Sequence, residues 1–171
     1  MVGISMKNWS WKNIIKEIVS TLLLIMVLSW VINYFRQPDT SDQLPDLRLT
    51  TIEQQTLSTQ ANQQPTVLHF WATWCPTCKL EAPNLESIQD QAHVITVAVN
   101  SGDDQTLQQF MQERGYTYPV VNDPKGALAK QFNVEAFPTT FIYDSNGTLR
   151  FVEVGYSTTV GLKARLAIVG D

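Results

Sequence analysis

Ile18 to Phe35 is a run of 18 residues without a formal charge, and it includes Leu22-Leu23-Leu24-Ile25-Met26-Val27-Leu28. As a helix rising ~1.5 Å per residue it would be ~27 Å long, close to the ~30 Å hydrocarbon core of a bilayer. Trp9 and Trp11 precede it, and Trp30, Tyr34 and Phe35 sit at its far end, where interfacial aromatic anchors belong. A buried core helix is rarely apolar on every face for so long. A cleaved signal would have a shorter apolar region and then small residues, which Asn33-Tyr34-Phe35-Arg36-Gln37-Pro38 does not offer. The pattern predicts an uncleaved transmembrane helix over 18–35. Residues 1–17 form a segment before it and the polar stretch 36–45 a linker after it.

Beyond the linker the period changes. Leu47 to Ile52 alternates as a strand does, and Thr56–Thr59 can return as its hairpin partner. Thr66–Trp71 and Val94–Val99 are compact β-forming apolar runs, the signature of strands buried on both faces. Helices are expected over Pro76–Gln91, with Leu80, Leu85 and Ile88 on its inner side, and over Asp103–Arg114, capped by Asp103 or Asp104. A short extended piece, Tyr118–Val121, and a short helix, Lys125–Phe132, come next. The strands Thr139–Tyr143 and Leu149–Val154 are joined through Asn146-Gly147, a strong hairpin signal, and Thr158–Ile168 closes as a helix. Strands alternating with helices imply parallel pairs, with an antiparallel edge from the late hairpin. Residues 46–171 therefore read as a three-layer α/β/α domain around a mixed sheet.

Charge sharpens the division. The chain carries 12 Lys and Arg against 16 Asp and Glu, a net charge of -4. Lys7, Lys12, Lys16 and Arg36 against Glu17 make residues 1–36 positive, while the rest is acidic. The positive-inside rule puts the N-terminus in the cytoplasm and exports the acidic domain; in a bacterium that places it in the periplasm, on a single-pass inner-membrane anchor. A body without a basic stripe also argues against nucleic acid as a partner.

Only two cysteines occur, Cys75 and Cys78, too few for a disulfide framework or a four-thiolate zinc site. They fall where a central strand gives way to a helix, the rim at which open α/β sheets carry ligand chemistry. Cys75 lies nearest the unpaired N–H groups and positive end of the helix dipole, which favours its thiolate. It would attack a substrate disulfide, and Cys78, one turn in, would resolve the mixed disulfide. A purely structural bridge closing so small a loop removes only about 2 kcal/mol of chain entropy. A metal clip would need His69 to reach over from its strand.

Trp71-Ala72-Thr73-Trp74-Cys75-Pro76-Thr77-Cys78 resembles the active-site stretch of the thioredoxin superfamily, most of all its membrane-anchored TlpA/ResA/DsbE-like branch. The single anchor and short chain look most like the suppressor of copper sensitivity protein D-like protein disulfide oxidoreductases. The resemblance implies a thioredoxin fold and a thiol–disulfide oxidoreductase that needs no cofactor beyond its Cys75–Cys78 disulfide. It implies that Phe137-Pro138-Thr139 is the cis-proline loop, with Pro138 against the sulfurs and the backbone of Phe137 open to substrate. Trp74, Pro76 and Thr77 would line the substrate contact, and Pro83 would kink the helix. Glu81 matches the acid of the branch's C-x-x-C-x-x-E-x-P pattern, which assists proton transfer. His69 departs from the superfamily, which places a buried aspartate six residues before the first cysteine; a neutral imidazole could take over that role or be a core histidine. Thr139 stands where cytochrome-maturation relatives carry glutamate, which argues against apocytochrome as substrate. The implied partners are exported proteins bearing thiols or disulfides and a membrane thiol relay that recharges the enzyme. An oxidant that introduces disulfides and a Cu(I)-binding or redox-sensing module are the alternatives.

Overall fold

A computed structural model describes residues 11–36, 38, 40–60 and 64–170, with backbone alone at residues 30 and 33–36. The chain divides into two units, Met1–Arg36 and Gln37–Asp171. The first holds one helix, α1 (Trp11–Arg36). Its exposed side chains include Ile18, Val19, Leu22, Leu23, Leu24, Ile25, Met26, Val27, Leu28 and Ile32. Among the described residues no helix is long and apolar enough to cross a membrane. The described part of α1 includes Lys12, Lys16 and Glu17. The side chains of Trp9, Trp30, Tyr34, Phe35 and Lys7, which the anchor reading invoked, lie outside the described residues.

The second unit opens with a small antiparallel pair, β1 (Arg48–Thr50) and β2 (Thr56–Ser58). Then come β3 (Thr66–Trp71), α2 (Pro76–Glu86), β4 (His93–Val99), α3 (Asp104–Arg114), β5 (Val120–Asp123), α4 (Ala127–Gln131), β6 (Thr139–Tyr143), β7 (Leu149–Val154) and α5 (Thr159–Val169). The five-stranded sheet runs in the order β5-β4-β3-β6-β7. β3–β4 and β4–β5 are parallel; β3–β6 and β6–β7 are antiparallel. The expected late antiparallel edge is therefore two pairs deep.

Handedness explains the layers. The path β3→β4→β5 moves one way across the sheet, so right-handed crossovers leave α2 and α3 on one face. α4, on the connection from β5 back to antiparallel β6, packs on the other face. The two cores agree. One joins Val67 and Trp71 of β3 to α2, α3 and α5 through Cys78, Leu85, Leu107 and Leu162. The other joins Leu68 and Phe70 to Ala129 and Phe132. β3, covered on both faces, is buried at all its positions, which is why its sequence does not alternate.

Two local expectations need correction. α2 ends at Glu86 rather than Gln91, and Ser87 takes its C-cap with its hydroxyl turned onto Asn84 O at 2.7 Å; a serine that binds the preceding turn competes with helix continuation. Leu80 is 71% exposed, and the buried side of α2 is Cys78, Glu81, Ala82 and Leu85. The expected β6–β7 hairpin forms with the expected strand bounds, its loop turning at Gly147 with positive φ (77°). Asp144 organises this loop, its carboxylate accepting the N–H groups of Asn146 and Thr148. Within the stretch read as linker, Leu44 N–H donates to Gly147 O at 2.8 Å and Asp42 O accepts from Leu149 at 2.7 Å.

Candidate active site

β3 delivers the chain to the top of the sheet, where it turns into α2. Trp71 is buried against Phe110 and belongs to the core. Cys75 is the N-cap of α2, with extended backbone, and its Sγ accepts the Cys78 N–H at 3.1 Å. That sulfur satisfies one of the helix's orphan donors and faces the positive end of its dipole. Pro76 follows at the first turn, where a missing N–H leaves nothing unpaired. Cys75 and Cys78 are joined as a disulfide with their Cα atoms 5.3 Å apart. Both are buried, Cys78 by the small margin of 2% exposure against 5%.

Three segments close around the sulfurs. The Phe137–Pro138 peptide is cis, and Phe137 O lies 3.7 Å from Cys75 Sγ. Pro138 O accepts the Gly155 N–H at 2.8 Å, and the Thr139 hydroxyl donates to Ala136 O at 2.8 Å. Trp74 is exposed; its indole N–H donates to Asn100 O at 3.1 Å, and its ring meets Phe137 edge-on at 5.7 Å. Ser101 Oγ accepts the Thr73 N–H at 3.0 Å. Pro76 is exposed and Thr77 half-buried at the same mouth.

Beneath the disulfide the layer turns polar. Glu81 is fully buried, and neither carboxyl oxygen has a hydrogen-bond partner. Burial pushes its pKa up to about 8; Ser157, first through its backbone N–H and then through its hydroxyl, pulls the other way, and the negative Glu153 adds to the rise. His69 is buried too, with Nδ1 2.9 Å from Thr140 Oγ1, and burial lowers its pKa to about 3. Register makes these neighbours part of a row. Thr96 pairs with His69, His69 with Thr140, and Thr140 with Glu153. Side chains alternate along each strand, and Val67, Trp71, Val94, Ala98, Ile142 and Phe151 belong to the core under α2 and α5. All four members of the row therefore face that side. At the sheet edge Glu153 ends the row, ion-paired with Arg165 of α5 at 2.7 Å.

The structure brings Cys75, Cys78, Pro138, Phe137 and Trp74 to one mouth, with Glu81 and His69 in the layer below. Among the described residues no group of three or more His, Cys, Asp and Glu side chains is arranged to hold a metal ion. Sequence reasoning missed Ser101, Thr140, Asn84 and Ser157. Ser101 lies in the loop after a parallel strand, a position that topology marks. Ser157 has no local signal, because it meets Glu81 only through folding.

The profile of the AhpC/TSA family matches residues 40–152. The chain is 31% identical over 150 residues to the sporulation thiol-disulfide oxidoreductase A of Bacillus subtilis, covering 83% of this chain and 91% of that protein. It is 28% identical to the thiol-disulfide oxidoreductase ResA of Geobacillus thermodenitrificans, over 91% of this chain and 95% of the other. The crystal structure of a secreted Mycobacterium tuberculosis disulfide oxidoreductase, homologous to the DsbE of Escherichia coli, superposes with a TM-score of 0.63 at 26% identity, over 72% of this chain and 96% of that one.

Proposed function

Because the chain belongs to the AhpC/TSA family of thioredoxin-like proteins and is a thiol–disulfide oxidoreductase of the ResA and DsbE type, we propose that it works as a membrane-anchored, periplasm-facing reductant of disulfides in exported proteins. The carrying observation is the Cys75–Cys78 pair at the head of α2, faced by cis-Pro138 and underlain by Glu81. Cys75 thiolate attacks a substrate disulfide and expels one substrate thiolate. Cys78 then attacks Cys75 Sγ, the second substrate thiolate leaves, and the pair ends as the disulfide. Cys78 gives its proton to Glu81, whose pKa of about 8 lies within about a unit of a free thiol's ~8.5. His69, lowered to about 3, is neutral at working pH, so it orients and fills rather than accepts that proton. Trp74, Pro76, Thr77 and the Phe137 backbone form the surface on which an extended substrate lies. The redox pair is the only prosthetic chemistry required.

The anchor rests on the uncharged run Ile18–Phe35 and its lysine-rich flank, and the exported setting agrees with the secreted relative. A membrane thiol relay protein recharges Cys75 and Cys78. Acid quench of cells followed by thiol alkylation tests the direction. Mostly reduced cysteines are expected; a pair found mostly as disulfide makes the enzyme an oxidant. Retention of the full chain in membranes washed with high salt is expected, and its release would refute the anchor.

A further inference from the structure

Glu81 must gain and lose a proton in each cycle while wholly buried, and its carboxyl oxygens have no hydrogen-bond partner. One other unpartnered buried hydroxyl lies beside it, that of Ser157 in the β7–α5 loop. The placement is built from α2 itself. Asn84, one turn beyond Glu81, donates from Nδ2 to Ser157 O at 2.8 Å and to the Tyr156 hydroxyl at 3.2 Å. Its Oδ1 accepts the Thr159 hydroxyl at 2.7 Å. One side chain thus fastens two residues of the loop and the first residue of α5 to the helix that Cys75 caps and Cys78 lies in. Gly155, at φ 101°, supplies the bend that brings the loop inward, and Thr158 caps α5 directly after it.

We propose that Ser157, held in place by Asn84, is a positioning residue for the redox reaction: its hydroxyl swings to hydrogen-bond Glu81 in both protonation states, donating to the carboxylate and accepting from the acid. A hydroxyl does both because it carries one donor and two lone pairs. The gain is large because a buried carboxylate without a donor is costly. The inference rests on the proposed role of Glu81 as proton acceptor for Cys78. Other titratable groups on this side include Cys75 and Cys78 at the start of α2, His69 on β3, Tyr118 before β5, Glu153 on β7 and Arg165 on α5. His69 is neutral, and Arg165 is committed to Glu153. Beside the fixed Ser157 backbone N–H, which also lowers the Glu81 pKa, the Ser157 hydroxyl is the donor that can turn toward either protonation state.

The test follows the Glu81 carboxyl carbon by NMR in the full chain, in detergent and in the disulfide form, where no thiol titrates. Loss of the signal in Glu81→Gln assigns it. Titration near pH 8 is expected. Ser157→Ala should move the midpoint up by about one pH unit, because the lost hydrogen bond favoured the charged form. Ser157→Thr should restore it. A midpoint unmoved by Ser157→Ala overturns the proposal, as does one that Thr fails to restore. In the dithiol form, the pH profile of cysteine alkylation should shift in Ser157→Ala and show no further shift when Ser157→Ala is added to Glu81→Gln. If Glu81→Gln leaves the alkylation profile unchanged while Ser157→Ala still moves the carboxyl midpoint, the proton-acceptor reading of Glu81 fails, and the role of Ser157 in the reaction fails with it.

Discussion

Cys75 and Cys78 are separated by one helical turn, and that offset predicts opposite phenotypes. Cys75 carries the helix-facing sulfur beside Phe137 O, so Cys75→Ser removes the nucleophile and should abolish disulfide reduction. Cys78→Ser leaves attack intact and blocks resolution, so mixed disulfides with substrate should accumulate on non-reducing gels. Their absence would reverse the assigned order of attack. Glu81→Gln keeps the shape and removes the proposed proton acceptor. Insulin reduction at pH 7 should fall by about 10²-fold, the lower end for lost general-base help, with far less loss at pH 9, where the thiols ionise unaided. The two cysteines were legible from their spacing at a helix start, whereas Glu81 and Pro138 came from the resemblance of their surrounding stretches to the thioredoxin superfamily. The state of His69 was legible from neither. Its neutrality comes from burial between sheet and helices, which no neighbour in sequence reveals.

Elements were legible where their physics is local and blurred where a distant partner intervenes. Asp103 reads as a cap and is one, accepting the Thr106 N–H at 2.8 Å. α4 shows the opposite case. Its N-cap position, Gly126, makes no side-chain bond. The capping is done by Asp123 at the end of β5, whose two oxygens accept the N–H groups of Ala127 and Ala129 at 2.7 and 2.9 Å. Asp123 is buried, so Asp123→Ala strands two donors at once. A loss of about 2–3 kcal/mol is expected in urea unfolding, with Asp123→Asn recovering part of it. An effect near zero would mean that the sheet and Phe132, not the carboxylate, hold α4. The same contrast explains α2: Leu80 fits the apolar period of a helix, yet that flank meets no other layer and is left exposed.

For the whole molecule, buried His69 and Glu81 set opposite slopes of stability against pH. The His69 pKa falls from 6.5 to about 3 on folding, so between those values the unfolded chain binds the extra proton and stability rises with pH. The Glu81 pKa rises from 4.5 to about 8, so between those values the folded chain binds the extra proton and stability falls with pH. Between about pH 4.5 and 6.5 the two slopes cancel. Stability of the disulfide form should therefore climb from pH 3 to 4.5, level off, and decline from 6.5 to 8. Each limb amounts to about 2 kcal/mol at ~1.4 kcal/mol per pH unit. Asp103 and Asp144, both with lowered pKa, steepen the acid limb slightly. Thermal melts across this range check the shape. Glu81→Gln should erase the alkaline decline and extend the climb to 6.5. His69→Asn, which retains a polar partner for Thr140, should weaken the acid climb and begin the decline near 4.5. If Glu81→Gln leaves the alkaline limb in place, the Glu81 pKa is not raised on folding, and its match to the Cys78 thiol fails. The melt therefore bears on the chemistry as well as on the fold.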